Sequence, residues 1–137
     1  MIRIVTIAIG PCSPDNIPSI SDADSDLLFV GHTTDAQTAP ELCATLHPDV
    51  ALMDICDSGI DGLRTVRAIR ATNARIKMLV LSRSDDPNYV HAMLEVGVSG
   101  YLLAQADVAD LALSIRTVNS GQVVCSATIA RALIQSQ

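Results

Sequence analysis

The sequence of 137 residues predicts an α/β domain built on a doubly wound parallel sheet of five strands. Two observations predict this class. Short, nearly continuous aliphatic runs alternate with segments of helical periodicity, which is the pattern of a parallel sheet covered on both faces. Hydrophobic residues make up 49% of the chain and charged residues only 18%, so the chain can bury a sizeable core and disorder is excluded.

Each predicted strand is a run of four to six mainly aliphatic residues without strict alternation, as expected of a strand that is buried on both faces. The first run is too short for a secretory signal, and nothing in the chain approaches the ~18 consecutive apolar residues that a membrane span needs. The predicted strands are Arg3–Ala8, Leu27–Gly31, Val50–Asp54, Met78–Ser82 and Gly100–Leu103.

Two helices of the second half have recognisable ends. Asp61 is predicted to cap a helix over Gly62–Thr72, whose apolar residues follow helical spacing. Asp86 is a predicted N-cap, Pro87 supplies a preset φ at the first helical position, and Gly97 ends that helix.

The other helices follow from the same signals. Asp107 is predicted to cap the last long helix, and Gly121 to end it. Pro40 predicts a short second helix that runs to about His47. The first crossover helix is predicted to be short or missing, because prolines cost ~3 kcal/mol each inside a helix. The prolines in this crossover are Pro11, Pro14 and Pro18.

The charge is acidic and unevenly distributed. The net charge is −6 and the pI is about 4.7, which makes autonomous nucleic-acid binding unfavourable. Residues 1–61 hold Arg3 against ten acidic residues (1 − 10 = −9), whereas residues 62–137 hold eight basic and five acidic residues (8 − 5 = +3). The cysteines have no CxxC spacing, so we expect free thiols rather than zinc or disulfides. They are Cys12, Cys43, Cys56 and Cys125.

Three residues mark a candidate site. Asp54 ends the third predicted strand, at the edge where ligands collect in an open α/β sheet. Ser82 ends the next strand, and Tyr101 lies in the last one.

This arrangement resembles the receiver domains of bacterial response regulators, which have the CheY-like fold. The segments 97–103 and 109–134 resemble receivers of LuxR/NarL-type transcription factors. The resemblance implies a flavodoxin/CheY-like strand order of 2-1-3-4-5. It also implies a receiver domain over residues 1–121 and a C-terminal extension over residues 122–137 that begins a linker.

The resemblance implies a role for each site residue. The aspartate at the Asp54 position accepts a phosphoryl group from a histidine kinase, while a hydroxyl at Ser82 and an aromatic at Tyr101 form the switch. Two carboxylates at the end of the first strand hold Mg²⁺, and a lysine ends the fifth strand. Here those three charged positions are occupied by apolar residues, so the site is predicted to be degenerate, without a metal or cofactor. The apolar replacements are Ala8, Ile9 and Ala104.

Other interpretations of these residues stay open. Asp54 could only accept loop N–H hydrogen bonds, Ser82 could be a strand-end hydrogen-bonding residue, and Tyr101 could be a core filler. Arg83 could replace the missing lysine, or it could be a surface residue. A rearranged metal site could use the loop acids Asp15, Asp57 and Asp85.

We therefore expect a regulatory and dimerisation module of a bacterial, cytoplasmic transcriptional regulator, not an enzyme, controlled largely without Mg²⁺-dependent phosphorylation. The expected partner is a second copy of this chain, with a histidine kinase or a small-molecule ligand as further candidates. No contact with a membrane is expected. DNA would be reached only through an output domain that this chain does not include. One alternative is a phosphorylation-competent receiver that uses Asp54. The other is a flavodoxin-like domain that binds a cofactor or small ligand, although residues 10–14 offer few N–H groups for a phosphate loop.

Overall fold

The computed structural model describes residues 1–10, 26–55, 60–84, 86–103 and 108–135. Its centre is a six-stranded sheet in which all neighbouring strands are parallel, in the order β2-β1-β3-β4-β5-β6. The strands are β1 (Ile2–Ile9), β2 (Leu27–Thr33), β3 (Val50–Ile55), β4 (Lys77–Ser82), β5 (Gly100–Leu103) and β6 (Val124–Cys125).

The five predicted strands are present in the predicted order, but the predicted strand count is wrong. The additional strand, β6, pairs with β5 through the Gly100–Val124 and Tyr101–Cys125 register pairs. It has only two residues, so it is too short to show a periodic pattern. Gly100 allows β6 to lie close to β5, because a Cβ at this position would lie only 3.3 Å from the carbonyl oxygen of Val124.

Five helices accompany the sheet in the described part of the chain. The C-terminal one lies in the segment for which we expected only an extension. They are α1 (Ala39–Leu46), α2 (Ile60–Thr72), α3 (Pro87–Val96), α4 (Val108–Asn119) and α5 (Ala127–Gln135).

The helix ends agree with the sequence prediction at α3 and differ at α2. The carboxylate of Asp86 accepts a hydrogen bond from the Asn88 backbone N–H at 3.1 Å, and Gly97 ends α3 with a φ of 105°. The prediction that Asp61 is an N-cap is wrong, because α2 begins at Ile60. Asp61 therefore lies inside the first turn, where a carboxylate still favours the helix dipole. Asp107 and the first crossover at 11–25 lie outside the described residues.

Two apolar layers enclose the sheet. Alternate strand residues face opposite sides, so Val5 contributes to one layer and Ile4 to the other. Helices α1, α2, α3 and α5 bury side chains in the first layer, which contains Tyr101 and Ile129. Helix α4 packs on the second layer through Leu111, Ala112, Ile115 and Val118. No helix in the described ranges is long and apolar enough to cross a membrane.

Candidate functional site

The carboxyl ends of the parallel strands meet at one edge of the sheet, and Asp54 lies at this edge on β3. Its register partner on β1 is Ala8, and its partner on β4 is Leu81. Ile9 follows Ala8 and is one residue closer to the edge. Both immediate strand neighbours of the Asp54 carboxylate are therefore apolar residues.

The environment of Asp54 disfavours its charged form. The side chain is half-buried, and this burial raises the pKa of the carboxyl group above its ordinary value. The positive charge of Arg83, in the loop after β4, acts in the opposite direction and lowers the same pKa. Arg83 itself is exposed, so its guanidinium is both a surface group and an electrostatic neighbour of Asp54.

Ser82 and Tyr101 are joined through the backbone of one residue, Ser84, in the loop that follows β4. The Ser84 backbone N–H donates to the Ser82 hydroxyl oxygen at 3.1 Å. The Tyr101 hydroxyl donates to the Ser84 carbonyl oxygen at 2.8 Å. Both side chains are buried, Ser82 at 1% and Tyr101 at 0% exposure. Any movement of this loop therefore changes the hydrogen bonds of both residues.

A second tyrosine supports the Tyr101 ring. The ring of Tyr89, on α3, contacts it edge-on with centroids 6.5 Å apart and planes inclined by 76°. Gly62 on α2 leaves space for this ring, because a Cβ at that position would lie 2.7 Å from the Tyr89 hydroxyl oxygen. Helices α2 and α3 thus both determine where the aromatic pair lies.

The described residues do not fit a magnesium ion. Ala8 and Ile9 are 3% and 6% exposed and carry no side-chain oxygen. The Thr6 hydroxyl, two residues earlier on β1, shares a hydrogen bond of 2.6 Å with Nδ1 of His32. Within the described ranges, no three His, Cys, Asp or Glu side chains form a metal-binding group. Mg²⁺ needs several oxygen ligands, and Asp54 is the one carboxylate that β1 and β3 place at this edge.

Of the predicted site residues, the structure thus places Ala8, Ile9, Asp54, Ser82 and Tyr101 on adjacent strands of one sheet. Ser84, which links Ser82 and Tyr101 through its backbone, was not predictable, because a loop backbone hydrogen bond has no signature in the sequence. Ala104 and the loop acids lie outside the described residues; those acids are Asp15, Asp57 and Asp85.

The fold agrees with a comparison against known families. The family model described as the response regulator receiver domain matches residues 17–116. The chain therefore belongs to the response regulator receiver family.

Its relatives are regulators of the LuxR/NarL type. The chain is 29% identical over 122 residues to the transcriptional regulatory protein LiaR of Bacillus subtilis, a match that covers 89% of this chain and 58% of LiaR. It is also 29% identical over 133 residues to the nitrate/nitrite response regulator NarL of Escherichia coli, covering 97% of this chain and 62% of NarL. The chain thus spans about three fifths of the length of these two relatives.

A solved structure of another protein has the same fold. The LuxR-family two-component response regulator from Aurantimonas sp. SI85-9A1 superimposes with a TM-score of 0.88 at 23% identity. The superposition covers 99% of this chain and 97% of that one. The segment that contains β6 and α5 is therefore included in the shared architecture.

Proposed function

We propose that this receiver controls a transcriptional output without Mg²⁺-dependent phosphorylation. The observation that carries this proposal is the register of β1 on β3, which sets apolar Ala8 beside Asp54. Phosphoryl transfer depends on positioning and on neutralising the charge of the phosphoryl oxygens, which is the task of a metal ion and a cation. With apolar residues in two of the positions where the family holds its metal-binding carboxylates, this neutralisation is lost.

The hydrogen bonds of the two predicted switch residues support a regulatory role. The hydroxyls of Ser82 and Tyr101 already take part in hydrogen bonds with Ser84. We therefore propose a domain that acts by contact with partners and not as an enzyme. DNA would be reached through an output domain, as the names of the transcriptional relatives suggest, in the bacterial cytoplasm. A small ligand near Asp54 or a histidine kinase would be the input.

A magnesium titration tests this proposal. The wild-type protein should show no saturable change in the amide resonances of residues 8 and 54 in the millimolar Mg²⁺ range. The variant Ala8→Asp should show one, because it returns a second carboxylate to the register position beside Asp54. Ala8→Asn is the matched control, since it adds a similar volume without the charge. Saturable binding by the wild type would contradict the proposal.

We further propose that the module forms a homodimer through α4. This helix buries one face in the second apolar layer, and Leu113 on its other side is 61% exposed. Leu113 is therefore the position on this helix at which the contact with a second copy can be tested.

Sedimentation velocity tests the dimer. Leu113→Asp should convert the wild-type dimer to a monomer, because it introduces a charge into the apolar contact. Ile134→Asp is the matched control on α5, where the side chain is 71% exposed. A wild-type monomer at high concentration, or a dimer lost only in Ile134→Asp, would refute an interface on α4.

A further inference from the structure

We infer that the segment Val124–Gln135, called here the clasp, holds Tyr101 in its buried position and thereby sets the state of the receiver from the C-terminal side. The clasp consists of β6, Ser126 and α5. This inference rests on the proposed function in one respect: it supplies the control that phosphorylation does not.

The clasp is attached to β5 by backbone hydrogen bonds on both sides of Tyr101. The Val124 N–H donates to the Ser99 carbonyl oxygen at 2.9 Å, and the Ser126 N–H donates to the Tyr101 carbonyl oxygen at 3.2 Å. The second bond involves the peptide of the switch residue itself. The position of β6 is therefore coupled directly to the backbone of Tyr101.

Ser126 is the junction of the clasp. Its hydroxyl oxygen accepts a hydrogen bond from the Leu103 N–H, the last residue of β5, at 3.1 Å. Its carbonyl oxygen accepts the Ala130 N–H in the first turn of α5 at 2.9 Å. One residue thus connects Tyr101, the end of β5 and the start of α5. We assign it as a positioning residue, which acts through Tyr101.

Apolar packing joins the clasp to the same core as the Tyr101 ring. Ile129 of α5 is 0% exposed and belongs to the buried cluster that contains Tyr101, Val90 and Met93. Leu133, one turn further on, packs partly buried against that cluster. If α5 leaves the sheet, the cluster that contains the Tyr101 ring loses the apolar side chains of Ile129 and Leu133, and we expect water to reach the ring.

A continuous path therefore runs from the end of β4 to α5. It passes from Ser82 to the N–H and then the carbonyl group of Ser84, through the side chain of Tyr101 to its backbone, and on to Ser126. By linkage, whatever favours the docked clasp favours the buried Tyr101, and the reverse holds to the same extent. A protein domain attached after residue 137, or a partner that binds α5, would then bias the Ser82–Tyr101 end of the sheet without a phosphoryl group.

The test uses the full chain labelled with 3-fluorotyrosine. The sequence has two tyrosines and no tryptophan, so ¹⁹F NMR gives two tyrosine signals, which Tyr89→Phe assigns. Broadening by a soluble nitroxide measures the exposure of each ring, and hydrogen exchange of the amides in 127–135 measures docking of the clasp. No phosphoryl donor is present, so failure here is distinguishable from failure of the proposed function.

Two variants perturb the clasp. Ile129→Asp should release α5 and expose the Tyr101 ring, whereas Ile134→Asp, the same change at an exposed position of the same helix, should do neither. Ser126→Ala is milder: loss of one hydrogen bond should increase exchange in α5 about fivefold and increase nitroxide broadening of Tyr101. Its matched control is Ser120→Ala, which removes a serine hydroxyl bond at the end of α4.

The outcomes distinguish coupling between the clasp and Tyr101 from a general loss of stability. Faster exchange in α5 with an unchanged Tyr101 signal, in either Ser126→Ala or Ile129→Asp, would overturn the inference. If Ile129→Asp unfolds the whole domain, the comparison of Ser126→Ala with the wild type decides whether the inference holds. The inference is supported if Ser126→Ala increases both exchange in α5 and exposure of Tyr101, and Ser120→Ala increases neither.

Discussion

Asp54 shows at the scale of a single residue why we propose a receiver that works without a metal ion. Its carboxyl group is half-buried between apolar neighbours, and burial raises its pKa, with Arg83 as the opposing charge. A buried carboxylate without enough compensating charge destabilises the folded state once it ionises.

The pKa direction predicts how stability depends on pH. The folded-state pKa of Asp54 lies above its ordinary value of 3.8. The contribution of protonated Asp54 to the stability of the folded state is therefore fully present below pH 3.8, and it is lost as the pH rises through the folded-state pKa. We therefore expect Asp54→Asn to raise the melting temperature at pH 7, and the gain to disappear in acid where Asp54 is protonated in both states. Thermal unfolding of the wild type and the variant, monitored by circular dichroism at pH 7 and in acid, measures the difference in melting temperature at each pH.

The matched control for that variant is Asp110→Asn, which changes an exposed carboxylate on α4. It should leave the melting temperature nearly unchanged at both pH values. A loss of stability in Asp54→Asn at pH 7 would show that the carboxylate makes stabilising contacts that outweigh its burial.

The thiols give a second prediction at this scale. Burial raises the pKa of Cys43 to about 11, and it raises the pKa of the half-buried Cys125 as well. Since the thiolate is the reactive form, iodoacetamide at pH 8 should label Cys43 in the native protein far more slowly than Cys125. Peptide mass mapping before and after denaturation measures this. Equal native rates would place Cys43 in an open environment.

At the scale of elements, the β5–β6 contact depends on the absence of a side chain at Gly100. A Cβ there would lie 2.5 Å from Cδ1 of Leu79 and 3.3 Å from the backbone oxygen of Val124. The leucine can change rotamer, but the strand backbone can move only by weakening the pairing.

Gly100→Ala is therefore expected to lower the free energy of unfolding by about 1–3 kcal/mol, the usual cost of overpacking a core. Gly31→Ala on β2 is the comparison, because a Cβ there would meet only the movable side chains of Leu42 and Leu46. Urea unfolding of both variants measures the difference. A Gly100→Ala protein as stable as the wild type would mean that β6 does not pair closely with β5.

The elements also show what the sequence could predict and what it could not. The five long strands were predictable because each is a continuous apolar run, and α3 because Asp86, Pro87 and Gly97 each favour one backbone conformation. Strand β6 was not predictable, since two residues are too few to show a periodic pattern, and the predicted start of α2 was two residues too late. The pairing of β6 depends on contacts with β5 that are remote in the sequence.

At the scale of the whole molecule, the fold shows that the uneven charge of the sequence does not extend to the candidate site. Residues 1–61 are strongly acidic, yet the two β1 residues at the functional edge are apolar. The lone lysine, Lys77, opens β4 at the opposite edge of the sheet. The site positions on β1 and β3 could be predicted from the sequence because strand ends align in a parallel sheet. The roles of Ser84 and Ser126 could not, because they depend on loop and edge backbone geometry.

We propose that Asp54 of this receiver does not accept a phosphoryl group in the presence of Mg²⁺. Intact mass spectrometry after incubation with Mg²⁺ and acetyl phosphate tests it most directly, with Asp54→Asn as the control. We expect the mass of the wild-type protein to stay unchanged. A gain of one phosphoryl group in the wild type, absent in Asp54→Asn, would contradict the claim and make this an active phosphoreceiver.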